Sequence, residues 1–195
     1  MKRIAFAALL LLIATAGFAA EIEVGAKAPA FALTNTVDGS NVRFTPGDGK
    51  LSVVVFTCNQ CPYAKAFEQR IIDLGRDYAK RGVVFYAIDS NDDAQYAIES
   101  APEMKSRAVS RQYPYPYLKD GNSAVARAYG ARVTPHILVV DGTGTVRYRG
   151  YVDDSAKVDE RKHEGLRNAL DALLTGKAVD VTATKAFGCT IKFKS

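Results

Sequence analysis

Two of the three cysteines stand close together in Val53-Val-Val-Phe-Thr-Cys58-Asn-Gln-Cys61-Pro62. Two thiols at this spacing can open and close one disulfide between themselves. The bond can be traded with an outside disulfide through a mixed-disulfide intermediate, and the attacking species is the thiolate. The surroundings favour that form. An apolar run ends at Cys58, and after Pro62 the residues Ala64, Phe67, Ile71, Leu74 and Tyr78 recur at steps of three and four. That periodicity is one face of an amphipathic helix. A buried strand therefore delivers both sulfurs to the first turn of a helix, where backbone N–H groups lack intrahelical partners and the dipole is positive. Pro62 suits the first turn, which needs no donor from its nitrogen. Cys58 is expected to lie nearest the helix start and to act as the nucleophile. Cys61, one turn in, is expected to resolve the mixed disulfide.

Two other roles compete for the pair. As a structural staple it would do little. Closing so short a loop removes roughly 2 kcal/mol of unfolded-chain entropy, against about 5 for a bridge from Cys58 to Cys189. As half of a structural zinc site it would need two further ligands. Only Cys189, His136 and His163 could supply them, at no recognisable ligand spacing. Haem attachment needs a histidine after the second cysteine, where Pro62 stands. The expected site therefore holds no metal and no cofactor, since the sulfurs themselves carry the electrons.

The elements that must position the pair follow from patterning. Phe31 and Leu33 alternate with small residues, Asp38-Gly39 marks a turn, and Val42–Phe44 reads as the return strand of an N-terminal hairpin. Leu51 to Phe56 is apolar almost throughout, as in a strand buried on both faces. A helix from about Pro62 to Lys80 ends before Gly82, and Val83 to Ile88 is a second buried strand. Strand, helix, strand implies a parallel pair with a right-handed crossover. Residues 91–120 read as an insertion, helical over about Glu99 to Arg111 and extended over Tyr113-Pro-Tyr-Pro-Tyr117. Ser123 is a candidate cap for a short helix that closes at Gly130. Asp141-Gly-Thr-Gly144 joins two antiparallel strands, and a last helix is expected over about Arg161 to Thr175. The tail has only a weak alternation in Thr190-Ile-Lys-Phe-Lys.

The first residues call for separate treatment. Met1-Lys2-Arg3 is basic, Ile4 to Ala16 is apolar, and Gly17-Phe18-Ala19 offers small residues for cleavage. The apolar stretch is shorter than the roughly 20 residues that span a bilayer. Residues 1–19 are therefore expected to be a signal peptide, and 20–195 one domain. The product would be periplasmic or secreted, without stable membrane insertion after cleavage. Lys2 and Arg3 account for two of the 26 basic residues, so 24 remain against 21 acidic ones. The bases are scattered, and a nucleic-acid partner is not expected. Outside the cytosol disulfides persist, yet three cysteines cannot all pair within one chain.

With these motifs in hand the chain resembles the thioredoxin-like superfamily. More narrowly it resembles the redoxins, the AhpC/TSA group that includes peroxiredoxin-like and TlpA-like proteins. The resemblance rests on Ala28-Pro29-Ala-Phe31-Ala-Leu33, Cys58-Asn-Gln-Cys61-Pro62, Val133-Thr134-Pro135 before a strand, Asp141-Gly-Thr-Gly144 and the tail Thr184-Lys-Ala-Phe-Gly-Cys-Thr-Ile-Lys. It covers essentially the whole chain after residue 19. It implies an α/β thioredoxin-like fold with a central mixed sheet flanked by helices, an N-terminal hairpin and a helical insertion. It also implies a cis Pro135 facing the cysteine pair, and a Thr134 that offers its backbone to a substrate strand by β-augmentation. A peroxidase of the peroxiredoxin type would carry Pro and then Thr or Ser at fixed spacing before its cysteine. Those positions hold Leu51 and Val55 counted from Cys58, or Val54 and Cys58 counted from Cys61.

The expected function is exported thiol-disulfide exchange on cysteine-containing proteins or small thiols, with an electron donor or acceptor that the sequence does not name. A thiol peroxidase and a non-catalytic interaction protein are the alternatives. Cys189 is either a small buried hydrophobe or a third redox member exchanging with Cys58 or Cys61. His136 and His163 are expected to be structural or exposed, and Tyr113, Tyr115 and Tyr117 to form a packed loop.

Overall fold

The continuous apolar run before Cys58 forms the centre of a sheet, and both of its faces are covered. A computed structural model describes residues 20–195, so the expected signal peptide lies outside the described residues. Strands β1 (Phe31–Asn35) and β2 (Asn41–Phe44) make the expected hairpin, with Phe31 opposite Phe44. Strand β3 (Ser52–Phe56) leads to helix α1 (Pro62–Ala79) and strand β4 (Val84–Asp89), which lies parallel to β3. Helix α2 (Ala101–Ser110), strand β5 (Tyr117–Lys119) and helix α3 (Ala124–Tyr129) follow. The chain ends with β6 (Val133–Thr134), β7 (His136–Val140), β8 (Val146–Gly150), α4 (Gly165–Leu174) and β9 (Cys189–Thr190). Seven strands form one mixed sheet in the order β2-β1-β5-β4-β3-β7-β8, and β6 pairs with β9 apart from it.

Alternation along β3 divides the core. Val53 and Val55 pack with Phe67, Ile71 and Leu74 of α1 and with Leu166 and Leu170 of α4. Val54 and Phe56 face the other way, toward Tyr86, Leu138 and Tyr129 of α3. This double burial is why the strand is apolar at nearly every position. All five periodic residues of α1 are buried, so the helix presents the face that its sequence dictates.

Several boundaries depart from expectation for identifiable reasons. The insertion returns to the sheet, because β5 fits between β1 and β4. Ser123 does not cap α3. It adopts a left-handed conformation with φ 56°, and its hydroxyl donates to the Ser90 carbonyl. Asp120 accepts the Ala126 N–H instead. Helix α4 begins at Gly165 rather than near Arg161, because the Asp154 carboxylate takes the N–H groups of Lys162 and His163. Tyr113, Tyr115 and Tyr117 pack as expected, with Tyr113 in ring contact with the other two.

The insertion is tied to α1 by one buried carboxylate. Glu68 accepts from Arg107 Nε at 2.7 Å, Arg111 Nε at 2.8 Å and the Tyr113 hydroxyl at 2.6 Å. Removing one partner of a buried charged network leaves the others unsatisfied, at a cost of about 3–5 kcal/mol. Glu68→Ala is expected to lower the urea midpoint accordingly and to expose α2 to protease before the rest of the chain. A loss below about 1 kcal/mol would show that the arginines find water instead.

Candidate active site

The site begins with Pro62. A residue before proline is pushed away from helical backbone, and proline itself needs no hydrogen-bond donor at the first helical position. Cys61 therefore becomes the N-cap of α1, in extended conformation with φ −61° and ψ 123°. Its sulfur accepts the Ala64 N–H at 3.4 Å, and its carbonyl accepts the Lys65 N–H. This corrects the expected order of the two thiols: Cys61, not Cys58, sits at the helix mouth.

Thr134 lies against both sulfurs. Its hydroxyl is 3.2 Å from Cys58 Sγ, and its carbonyl oxygen is 3.2 Å from Cys61 Sγ. The peptide bond between Thr134 and Pro135 is cis. The expected cis proline thus stands beside the cysteine pair. Both cysteines are free thiols, 6% and 2% exposed for Cys58 and Cys61, and both line a cavity of about 200 Å³ with Gln60, Tyr96, Glu99 and Cys189.

The two thiols are pushed apart in acidity. The adjoining Cys58 and Cys189 thiols and the Ala64 N–H lower Cys61 against the opposing effect of burial. The adjoining Cys61 raises Cys58, as do burial and the nearby charge of Glu99, while the Thr134 hydroxyl pulls the other way. One contact opposes this division, since the Thr134 carbonyl accepts only from a protonated Cys61 sulfur. The cap position and the helix dipole favour negative charge on Cys61.

The structure adds residues that sequence reasoning missed. Glu99, 1% exposed, accepts the N–H of Asn59 at 2.7 Å and of Gln60 at 2.9 Å. It thereby holds the loop between the two cysteines. The Asn59 side chain donates to the Ile98 carbonyl and accepts from the Tyr117 hydroxyl. Beneath them Lys119 donates to the carbonyls of Asn91 and Glu99. Asp89 is pushed well up by burial, with the adjacent Glu99 adding to the effect. The insertion is therefore the floor of the site as well as the source of an interior strand.

Cys189 is neither remote nor fully buried. Strand β9 pairs antiparallel with β6, placing Cys189 opposite Thr134, and Cys189 packs in one cluster with Cys58 and Cys61. The backbone groups of Thr134 expected to receive a substrate strand face the chain's own tail. His136 is buried with Nε2 3.0 Å from the Glu21 carboxylate, outside the cysteine cluster. His163 is exposed. No group of three or more His, Cys, Asp or Glu side chains among the described residues is arranged to hold a metal.

A mixed sheet with flanking helices, two cysteines at the start of a helix and a cis proline beside them define a thioredoxin-like protein. The AhpC/TSA family model matches residues 24–149, and the chain belongs to that family. An uncharacterized conserved protein from Geobacillus kaustophilus is 40% identical, with a TM-score of 0.83 over 88% of this chain and 93% of its own. A hypothetical protein from Sinorhizobium meliloti is 31% identical, also with a TM-score of 0.83, over 90% and 97% of the two chains. The thioredoxin domain of a thiol-disulfide oxidoreductase from Bacteroides vulgatus shares the fold at 16% identity, with a TM-score of 0.62 over 79% and 99%. None of the curated proteins matches the chain.

Proposed function

We propose that this chain is an exported thiol-disulfide oxidoreductase that works through the Cys58/Cys61 pair. The observation that carries the reading is the setting of the two sulfurs: one caps a helix, both touch Thr134, and both open into one cavity. The Cys61 thiolate attacks a sulfur of the substrate disulfide, forming a mixed disulfide and releasing one substrate thiol. Cys58 then attacks the Cys61 sulfur and displaces the second substrate thiol, and its proton is lost in the process. One disulfide is reduced and one is formed. The reverse sequence oxidises a dithiol. Substrates are cysteine-containing proteins or small thiols. Thr134 and Pro135 shape their docking, and no metal or organic cofactor takes part.

A Cys61 thiol held well below its ordinary value stabilises the reduced protein at neutral pH and so favours the direction in which this chain oxidises others. Export rests on residues 1–19, whose removal N-terminal sequencing of the native protein would show. Membership of the AhpC/TSA family makes peroxide reduction the second reading. The positions that would carry its threonine hold Val55 and Cys58, and Val55 is buried in the strand.

Turnover of a disulfide-containing protein and of hydrogen peroxide, measured in parallel with wild type and Cys58→Ser, separates the readings. Disulfide exchange is expected in wild type, falling at least about a hundredfold in the variant, with slow peroxide consumption in both. Rapid peroxide consumption that survives Cys58→Ser, with no disulfide exchange, would overturn the proposal.

A further inference from the structure

The first turn of α1 directs its backbone donors at Cys61. Pro62 has none, the Ala64 N–H goes to the Cys61 sulfur and the Lys65 N–H to the Cys61 carbonyl. Cys189, opposite Thr134 in the β6–β9 pair, packs in one cluster with Cys61 and Cys58 and lines the same cavity.

The tail that brings Cys189 there is fastened along its length. Ile191 N–H donates to the Arg132 carbonyl at 2.8 Å, Lys192 N–H to Asn91 Oδ1 at 2.7 Å, and the Ile191 side chain is 3% exposed. Gly188 has φ 154°, and a Cβ at that position would overlap the Thr134 carbonyl oxygen. Only glycine lets the tail approach the cysteine pair so closely.

We propose that β9 is an internal substrate strand: it occupies the docking groups of Thr134 and presents Cys189 to Cys61 as a third exchanging thiol. This rests on the dithiol reading above. Once Cys58 and Cys61 are joined, the Cys189 thiolate attacks the Cys61 sulfur. The Cys58–Cys61 bond breaks, the Cys61–Cys189 bond forms, and Cys58 leaves as the thiolate that takes up the proton Cys189 lost. One disulfide replaces another with no net oxidation. The electrostatics supply the trigger. In the reduced protein Cys189 is pushed up to about 11 by burial, by donating to Cys61 and by the charge on Cys61. Disulfide formation at Cys61 removes the last two effects, so Cys189 gives up its proton more readily when a disulfide stands within its reach. The exchange locks the tail in place over Thr134 and returns Cys58 to the cavity as a free thiol, so external strands compete with the tail for the site.

The test is oxidation with oxidised glutathione, acid quench, alkylation and peptide mapping of wild type, Cys58→Ser and Gly188→Ala. Wild type is expected to yield both Cys58–Cys61 and Cys61–Cys189 bonds. Cys58→Ser is expected to form the Cys61–Cys189 bond alone. Gly188→Ala, which alters no sulfur, is expected to form Cys58–Cys61 normally and Cys61–Cys189 at least about tenfold more slowly. Wild type that forms Cys58–Cys61 but no Cys61–Cys189, together with a Cys58→Ser protein that forms no internal bond, overturns the tail proposal and leaves the dithiol reading standing. Absence of both bonds in wild type overturns the dithiol reading as well. Equal Cys61–Cys189 rates in wild type and Gly188→Ala refute delivery by the strand.

Discussion

Replacing Cys61 by serine is expected to abolish disulfide exchange, with a loss of at least about 10³-fold, and to remove the one strongly acidic thiol in the protein. The reasoning starts from Pro62, which fixes Cys61 as the N-cap and directs the Ala64 N–H at its sulfur. Cys61 is held well below its ordinary value of 9.0, so between the folded and ordinary values the folded reduced protein has released a proton that the unfolded chain still holds. Stability of the reduced form should therefore rise with pH between those values, by about 1.4 kcal/mol per pH unit at most. It should be lost as pH falls through the folded value. The oxidised form lacks the titrating thiol, so the difference in stability between reduced and oxidised protein isolates the effect. Denaturation of both forms from pH 4 to 8 reads it directly. In Cys61→Ser, which cannot form the Cys58–Cys61 bond, the slope of the reduced protein's own stability over this range should vanish. If Cys58→Ser removes the slope and Cys61→Ser leaves it, the charge lies on Cys58 and the order inferred from the helix cap is reversed.

The second large effect belongs to Glu99. Its carboxylate accepts two backbone N–H groups of the loop between the cysteines, at 2.7 and 2.9 Å, and is 1% exposed. Glu99→Ala leaves both donors buried without a partner, and hydrogen bonds to charged groups are worth about 1.5–3 kcal/mol each. A destabilisation of about 3–5 kcal/mol is expected. The same change removes an anion that raises Cys58, so the Cys58 thiol should become more acidic and react with iodoacetamide at lower pH. Glu99→Gln keeps one acceptor oxygen without the charge. It should recover part of the stability while retaining the acidified Cys58. That split between folding and reactivity distinguishes a residue that positions the thiols from one that merely fills space. A Glu99→Ala protein with unchanged stability and unchanged thiol reactivity would remove Glu99 from the site.

The parts of the fold that could be read in advance are those where local pattern and tertiary burial agree. The run Val53–Phe56 and the spacing Ala64, Phe67, Ile71, Leu74, Tyr78 specify a doubly buried strand and an amphipathic helix, and the structure buries every one of those side chains. Val133-Thr134-Pro135 likewise marked the element that meets the cysteines. Other features depend on contacts distant in sequence. Glu99 reaches the Cys58–Cys61 loop from the insertion, and nothing in its own neighbourhood distinguishes it from a solvent-facing acid. Strand β5 is three residues long and becomes a strand only by fitting between β1 and β4. Strand β9 has two residues and weak alternation; its clue was Gly188 beside a cysteine, a site of close backbone approach. The order of the thiols could have been read correctly. Pro62 at the first helical position already made residue 61 the cap, and the expectation that Cys58 lay nearer the helix start overlooked it. Ser123 misled because a serine before a short helix caps only when its backbone is extended, and here it is left-handed.

The most direct measurement is the equilibrium of the cysteine pair against glutathione at pH 7. It is best made in Cys189→Ser, where exchange with the tail is silenced, with acid quench, alkylation and peptide mapping. One two-electron couple joining Cys58 to Cys61 is expected, with a midpoint more oxidising than the roughly −270 mV of thioredoxin because the thiolate at Cys61 stabilises the reduced form. Recovery of Cys58 and Cys61 as separate alkylated thiols at every glutathione poise would contradict it.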